Sequence, residues 1–594
     1  MLLTQFFPTL LLLLIIVHNS FSQLKEEYNH SFWKALSRDF LENKINYLKS
    51  IGVTITKKKK PKNVILFIGD GMGTTITTVS RIFKNQNIPS QKEKPIFDQT
   101  PLSFEKFQTS GIVRTHSLDL HVGTSTAGAL AMTSGQKTKS GLVNIKATAD
   151  LKTCKIKDDE KQVNTLVYEA LKNKIKVGVV TTTRITHATP AALYAFSKNR
   201  SYESDQHFKT DDDRNNCDDI AKQIINYPAN KFSVILGGGR SYFLPKNEQD
   251  PIYVNVTGSR LDGRNIIKEW KQLSTNHKVL FTRNDLLNKN HSPESNILGV
   301  FSPSHLKYYE TKDELDKETQ PTLEEMTETA IKLLSKNNEN GYFLLIEGGL
   351  IDVAAHENKG YVAFSETREF DKAILKAQQL TKEIASKDNL SNEEDTLIIV
   401  TADHSHPLNF NGFPTRDKSI LGSNMAAFAK ITAPSDSKSQ PNLMFTSGKG
   451  FYKMFSKDPI HGGYIRNNLT DEDLMKPDDL TPSCILSDYG SHGGEDVSSF
   501  VTGPLSYIFS GNYDNTQIAY NIKYALCLNE KEEFNVCDEV YQKDSEILDE
   551  TLDTYRTLLV YSLCICLILM LILVFVTFNY FKMKKNYNAN NLQL

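Results

Sequence analysis

The chain has 594 residues, of which 39% are hydrophobic, 23% charged and 10% aromatic, with 31 Gly and 20 Pro; that composition excludes collagen, low complexity and a disordered chain. Sixty-nine Lys and Arg against 70 Asp and Glu leave a net charge of −1, so nothing points to nucleic-acid binding. A mean hydropathy of −0.37 excludes a multispan membrane protein.

Both ends are nonetheless apolar. Leu10–Val17 is too short to span a bilayer, and Ser20-Phe21-Ser22 offers small residues for cleavage. Residues 1–22 read as a secretory signal peptide, with a buried N-terminal helix as the alternative. Leu558–Phe578 is an uncharged run of membrane-spanning length, preceded by Arg556 and followed by Lys582, Lys584 and Lys585. This is a stop-transfer pattern, with residues 579–594 as a cytoplasmic tail. A lipid-anchor signal is the rival, although its apolar stretch would end the chain. Residues 23–555 are then expected outside the cytoplasm, at the cell surface, where disulfides persist. Of seven cysteines, Cys564 and Cys566 fall inside the apolar run. Cys154, Cys217, Cys484, Cys527 and Cys537 remain, an odd number that leaves one free. Sequons at Asn29, Asn199, Asn255, Asn290, Asn389 and Asn468 fit the same compartment.

Between the ends, short apolar runs alternate with helical patterns, which predicts an α/β fold. Val64–Ile68, Val177–Val180, Phe232–Leu236, Phe343–Ile346 and Leu397–Val400 read as strands buried on both faces. Thr165–Asn173, Asp218–Ile225, Leu323–Leu334 and Ala363–Ala385 read as helices. Residues 412–488, rich in Ser, Pro, Asp, Lys and Gly, read as an inserted surface subdomain. Lys57–Lys60 reads as a solvated charge run.

Three of the strands carry a carboxylate just past their carboxyl ends: Asp70 in Gly69-Asp70-Gly71-Met72-Gly73, Glu347 before Gly348-Gly349, and Asp403 beside His404. That edge of an open α/β sheet is where ligands bind. A single such acid is more often a helix N-cap; three, with His and glycines attached, point to a metal cluster. Asp352 and His356, spaced i,i+4, share one helical face, and both types are ordinary zinc ligands. His492, before Gly493-Gly494, can complete the set. Ser125, in the small-residue run Gly123–Ala129, is either a simple helix N-cap or a nucleophile at the positive end of a helix. Arg200 is either a surface residue or a bidentate phosphate ligand.

Taken in order, the motifs Gly69–Gly73, Thr181-Thr182-Thr183-Arg184, His187-Ala188-Thr189-Pro190-Ala191, Arg200, Gly237–Arg240, Arg260–Gly263, Glu347–Gly349, Asp352, His356, Thr401–His406 and His492–Asp496 resemble the eukaryotic, animal-type alkaline phosphatases from about Phe32 to Cys537. The resemblance implies an alkaline-phosphatase-like fold: a large central mixed β-sheet flanked by helices, with a crown-like insertion at 412–488, in a homodimer. It implies two Zn2+ and one Mg2+. Asp352, His356 and His492 look like ligands of the first zinc, and Asp70, Asp403 and His404 like those of the second. Asp70, Thr189 and Glu347 resemble the magnesium ligands, with His187 close behind. Ser125 falls at the nucleophile and Arg200 at the phosphate-binding arginine. The implied reaction is hydrolysis of a phosphomonoester through a phosphoserine, with the two zincs stabilising the attacking and leaving oxygens. Cys154 with Cys217, and Cys527 with Cys537, match the family's disulfides, leaving Cys484 as the free thiol.

The chain also departs from the pattern. Thr124 stands where the family has an Asp that holds the arginine, and Val353 where it has His or Lys. Ile252, Ser302 and Gln320 stand where acidic side chains bind calcium, so no calcium site is expected. A phosphodiesterase or pyrophosphatase of the same superfamily is the alternative enzyme. A catalytically weakened cell-surface binding protein is the alternative of another class.

Overall fold

The structure is a computed structural model. It describes residues 26–53, 60–86, 100–162, 165–288, 290–387, 395–424 and 434–528, together with Thr577 and Asn579. The leader, nearly all of Leu558–Phe578, most of Lys57–Lys60, and Asn389, Cys537, Cys564 and Cys566 lie outside the described residues. Among the described residues no helix is long and apolar enough to cross a membrane. Residues up to Leu528 form one compact unit and Asn529–Leu594 a second; the sheet and the helices described below belong to the first.

Its centre is a ten-stranded mixed sheet. In spatial order the strands are Gly511–Asp514, Thr109–Arg114, Val497–Thr502, Thr396–Thr401, Asn63–Ile68, Tyr342–Glu347, Lys176–Arg184, Val234–Gly238, Asn296–Val300 and His277–Leu280. From Thr396–Thr401 to His277–Leu280 neighbouring strands are parallel; Val497–Thr502 runs antiparallel to both its neighbours. Every residue of Asn63–Ile68, Tyr342–Glu347 and Thr396–Thr401 is buried. This explains their unbroken apolar runs, since a parallel strand covered on both faces has no solvent side to alternate with. The register pairs Ile68 with both Glu347 and Thr401. The carboxyl ends of three strands therefore stop level with one another, and the residues just past them meet at one edge.

The Gly360–Lys387 helix packs on Thr74–Gln86, Leu323–Ser335 and Leu350–His356. A second helix group brings Thr516–Leu526 against Ser125–Ser134 and His30–Ser50. Most predicted elements are present with shifted ends; Phe232–Leu236, for instance, becomes Val234–Gly238. The helix expected over Asp218–Ile225 is instead a single tight turn, Ala221–Ile225. Asp219, which would open that helix, has both carboxylate oxygens on the Arg260 guanidinium, at 3.0 and 2.8 Å. Among the described residues, none of 412–488 joins the large sheet. Their strands Leu443–Gly448 and Ser483–Leu486 pair, with Leu408–Phe410, into a separate three-stranded sheet.

The Gly360–Lys387 helix carries a buried acid. Glu366 accepts the Tyr309 N–H at 2.6 Å, and burial pushes its carboxyl up to about 7 from an ordinary 4.5. The folded chain thus holds this proton more tightly than the unfolded one. The favourable contribution is complete below about pH 4.5 and is lost as pH rises through about 7, by about 3 kcal/mol in total. Glu366→Gln should therefore leave the melting temperature unchanged near pH 4.5 and raise it near pH 8.5. Calorimetry at the two pH values, with chelator throughout, tests this, and equal shifts at both would exclude a titrating Glu366.

Candidate active site

Each of the three strand ends delivers its acid to the same place. Asp70 lies in the turn after Asn63–Ile68, fully buried. Gly71 takes φ +70° there, and a Cβ on it would stand 2.6 Å from His406 Cδ2, so both the turn and the close approach require glycine. Asp403 follows Thr396–Thr401 and accepts from the backbone N–H of Gly71 at 3.1 Å and of His404 at 3.0 Å. The His404 Nε2 lies 3.3 Å from both the Asp70 and the Asp403 carboxylates. Asp70, Asp403 and His404 thus form one buried group of converging ligand atoms.

Beside it, Leu350–His356 folds as a helix, which puts Asp352 and His356 on one face. His492 arrives from the far end of the chain, its Nε2 2.9 Å from His356 Nε2 and 3.6 Å from Asp352 Oδ1. A fourth member joins them. His406 Nε2 is 2.6 Å from Asp352 Oδ1, a contact that sequence reasoning missed although the Asp403-His404-Ser405-His406 motif contained it. Its signal was the alternation: two residues on from His404, an extended chain returns a side chain to the same side. Burial alone would raise the Asp352 carboxyl, yet the imidazoles of His356, His406 and His492 hold it well below the usual range. Burial and the surrounding carboxylates push Asp70 up, and Asp403 to about 7.

A third group comprises Asp70, Glu347 and His187. Thr181 and Thr183 donate to Glu347 Oε2. Thr189 is buried in the short Ala188–Ala191 helix that His187 caps.

Ser125 is the first residue of the Ser125–Ser134 helix, where unpaired backbone N–H groups face outward. Gly128, one turn on, lets this helix press on the Asp403 strand end, since a Cβ there would lie 2.9 Å from Asp403 Cβ. Ser125 Oγ is 3.5 Å from His404 Nε2 and accepts from Arg200 Nη1 at 3.4 Å. Thr124 caps the helix without a side-chain hydrogen bond, and its buried Oγ1 has no hydrogen-bond partner among the described residues. It does not hold Arg200. That role falls to His187, whose Nε2 lies 2.8 Å from Arg200 Nη2. Burial, then the Arg200 charge, keep His187 well below its usual pKa, so the neutral ring accepts this bond. His305 packs edge-on against His187, with ring centres 5.4 Å apart, and also contacts Arg184; nothing in the sequence had singled it out.

A model of the alkaline phosphatase family matches residues 61–528. The chain belongs to the alkaline phosphatase family. The membrane-bound alkaline phosphatase of Bombyx mori is 35% identical over 477 residues, 79% of this chain and 80% of that one. The alkaline phosphatase of Gadus morhua is 34% identical over 512 residues, 85% and 99%. Among solved structures, the alkaline phosphatase of the Antarctic bacterium TAB5 aligns at 23% identity and TM-score 0.51, covering 79% of this chain and 100% of that one. That of Thermus thermophilus aligns at 20% and 0.53, covering 79% and 92%; at such identities the two show a shared fold. The chain is thus a phosphoric monoester hydrolase with an alkaline-phosphatase-like mixed sheet.

Within this alkaline phosphatase, Cys154 and Cys217 form a disulfide with Cα atoms 5.9 Å apart. Cys527 is disulfide-bonded, and Cys484 is free and exposed. A fourth acidic cluster, Asp205, Asp219 and Asp262, already holds its cation: the buried Arg260 guanidinium lies 2.8 Å from Asp219 and 2.6 Å from Asp262. Ile252, Ser302 and Gln320, where no calcium site is expected, are engaged otherwise. Ile252 is half-buried and apolar, and Ser302 donates to the His305 carbonyl at 2.7 Å. Gln320 donates to Tyr253 Oη at 2.6 Å and to Asp316 at 2.8 Å. The Lys312 ammonium bonds the carbonyls of Gln320 and Pro321 at 3.2 and 3.3 Å. Calcium needs six to eight oxygen ligands, mostly anionic. Adding calcium, with zinc and magnesium saturating, should leave the melting temperature unchanged; a rise would reveal a calcium site.

Proposed function

We propose that this chain hydrolyses phosphomonoesters through a phosphoserine on Ser125, with two zinc ions and one magnesium ion, at the cell surface. The observation that carries it is the position of Ser125 Oγ at a helix N-terminus, between Arg200 at 3.4 Å and His404 at 3.5 Å. The donor set fits resident cations. Both Asp70 oxygens, Glu347 Oε1, Asp403 Oδ2 and Thr189 Oγ1 are buried with no hydrogen-bond partner among the described residues, and orphaned acceptors at this density are costly unless positive charge completes them. Asp352, His356 and His492 would hold the first zinc, with His406 oriented on Asp352. Asp70, Asp403 and His404 would hold the second; Asp70, Thr189 and Glu347 the magnesium.

When bound, such ions supply Lewis-acid charge that makes an alkoxide accessible and stabilises oxygens entering and leaving phosphorus. The chain does the rest. Arg200 offers a planar fork for two phosphate oxygens, and the first turn of the Ser125–Ser134 helix presents N–H groups to the same anion. Ser125 Oγ bonds to phosphorus as the bond to the ester oxygen breaks; water then displaces Ser125 and frees inorganic phosphate. Nitrophenyl monoester hydrolysis that exceeds bis-nitrophenyl diester hydrolysis, and is abolished by a zinc chelator, is the expected result. A preference for the diester would mark a phosphodiesterase. Homodimerisation and anchorage by Leu558–Phe578 belong to the same reading, and the name of the silkworm relative supports membrane attachment. Retention on membranes after phosphatidylinositol-specific lipase, with a C-terminal tag still present, tests the anchor; release with loss of the tag would replace it with a lipid.

A further inference from the structure

Asn199-Arg200-Ser201 is both a sequon and the segment that carries the phosphate-gripping arginine. Its backbone is held firmly. Ser197 bridges Val143 in both directions, at 2.9 and 3.0 Å, and the Arg200 N–H donates to the Gly141 carbonyl at 2.8 Å. Asn199 and Ser201 are exposed, while Arg200 between them is half-buried. The Asn199 Oδ1 accepts the Ser201 N–H at 2.9 Å, an Asx turn. Its Nδ2 donates no hydrogen bond among the described residues.

We propose that Asn199 carries an N-linked glycan that stands at the mouth of the phosphate site and restricts the enzyme to small phosphomonoesters. The proposal rests on the secretory and phosphatase readings above. Chemically, Asn199 Nδ2 attacks the anomeric carbon of a lipid-pyrophosphate-linked oligosaccharide. A C–N bond forms, the C–O bond to pyrophosphate breaks, the lipid pyrophosphate leaves with the bonding pair, and Nδ2 gives up one proton. The folded position accommodates the product at no cost in hydrogen bonds: substitution at Nδ2 keeps Oδ1, so the Asx turn survives, and the sugar enters solvent.

Adjacent Cα atoms are about 3.8 Å apart, so the glycan is rooted next to the residue whose guanidinium reaches Ser125. A branched oligosaccharide there is large relative to the side chains around the nucleophile and sweeps the approach to it. A nitrophenyl phosphate passes beneath; a phosphoserine on a protein surface must displace the sugar. Discrimination then comes from excluded volume outside the pocket, leaving the contacts to the phosphoryl group unchanged.

The test uses the full chain expressed in a eukaryotic cell line. Enzymatic deglycosylation in heavy-oxygen water followed by peptide mass spectrometry should convert Asn199 to labelled Asp. Asn199→Gln and Ser201→Ala both abolish the sequon, and Ser201→Ala retains the Asn199 turn. Both should raise kcat/KM for phosphocasein by roughly fivefold while leaving that for nitrophenyl phosphate within about twofold. An unlabelled Asn199, whether or not other sequons carry sugar, overturns the site. A labelled Asn199 with an unchanged phosphocasein-to-nitrophenyl ratio in both variants overturns the steric role. Absence of nitrophenyl phosphate hydrolysis in the wild type would instead overturn the phosphatase reading.

Discussion

Ser125→Ala lowers kcat for small phosphomonoesters by about three orders of magnitude, and the zinc content of the purified protein stays the same. The reason is positional. Ser125 Oγ is the hydroxyl that both contacts Arg200 and approaches His404, whereas none of the proposed metal-ligand sets depends on it. Its neighbours are poor substitutes: Thr126 Oγ1 accepts the Gly141 N–H at 3.1 Å, and Thr124 precedes the helix as its cap. Acid-quenched enzyme incubated with labelled substrate should yield phosphoserine in the wild type and none in the variant. A variant that keeps near-wild-type kcat removes Ser125 from the mechanism and directs the search to Thr124 and Thr126.

Thr124→Asp raises kcat/KM and tightens inhibition by inorganic phosphate, each by about tenfold, the equivalent of about 1.4 kcal/mol. The Arg200 guanidinium is now held by a hydrogen bond to a neutral imidazole, at 2.8 Å, and a longer one to Ser125 Oγ, at 3.4 Å; Thr124 Oγ1 contributes nothing. A carboxylate at 124 would offer a charge-assisted bond, roughly twice as strong as a neutral one. It would also hold the fork in its plane. The decisive measurement is the double variant. His187→Ala frees the guanidinium and should weaken phosphate inhibition and kcat/KM together; adding Thr124→Asp should restore both. Damage to the neighbouring Asp70 and Glu347 group would not be repaired from position 124. Failure to restore phosphate inhibition would show that His187 acts on something other than Arg200.

How much of this was legible in the sequence depends on the kind of contact. Asp70, Glu347 and Asp403 could be placed on one edge because a strand buried on both faces announces itself as an apolar run, and a parallel sheet aligns the ends of such runs. Asp352 and His356 could be placed on one face because helical periodicity is local. His492 had only its flanking glycines to mark it, and its approach to His356 is purely tertiary. The edge-on packing of His305 on His187 carries no sequence signal, since it joins segments that only the folded sheet brings together; the His187 bond to Arg200 stays within one segment, thirteen positions apart, but follows no helical or strand period. His406 is intermediate: alternation puts it on the side of His404, but its contact with Asp352 exists only in the fold. The helix expected at Asp218–Ile225 is only partly legible: Asp219 does accept the local Lys222 N–H at 2.8 Å, but its tie to the buried arginine forty-one positions away is tertiary and carries no local signal.

The register of the sheet also sets when the chain can acquire activity. Asn63–Ile68 sits between partners that begin at Tyr342 and Thr396, and His492 meets His356 across 136 positions of sequence. Contacts of such separation demand large loop closures before they return any stabilisation, and they form late. During synthesis the Ser125–Ser134 helix and two of the three strand-end acids emerge well over a hundred residues before His492. The ribosome-bound chain up to about Thr401 therefore holds eight of the ten strands but lacks Val497–Thr502, which covers the Thr396–Thr401 edge, and neither the Asp352 nor the Asp403 group is complete. Activity regained on refolding should accordingly lag behind recovery of helical circular dichroism, and the sheet with its Thr396–Thr401 edge uncovered is the species that a folding chaperone would have to shield.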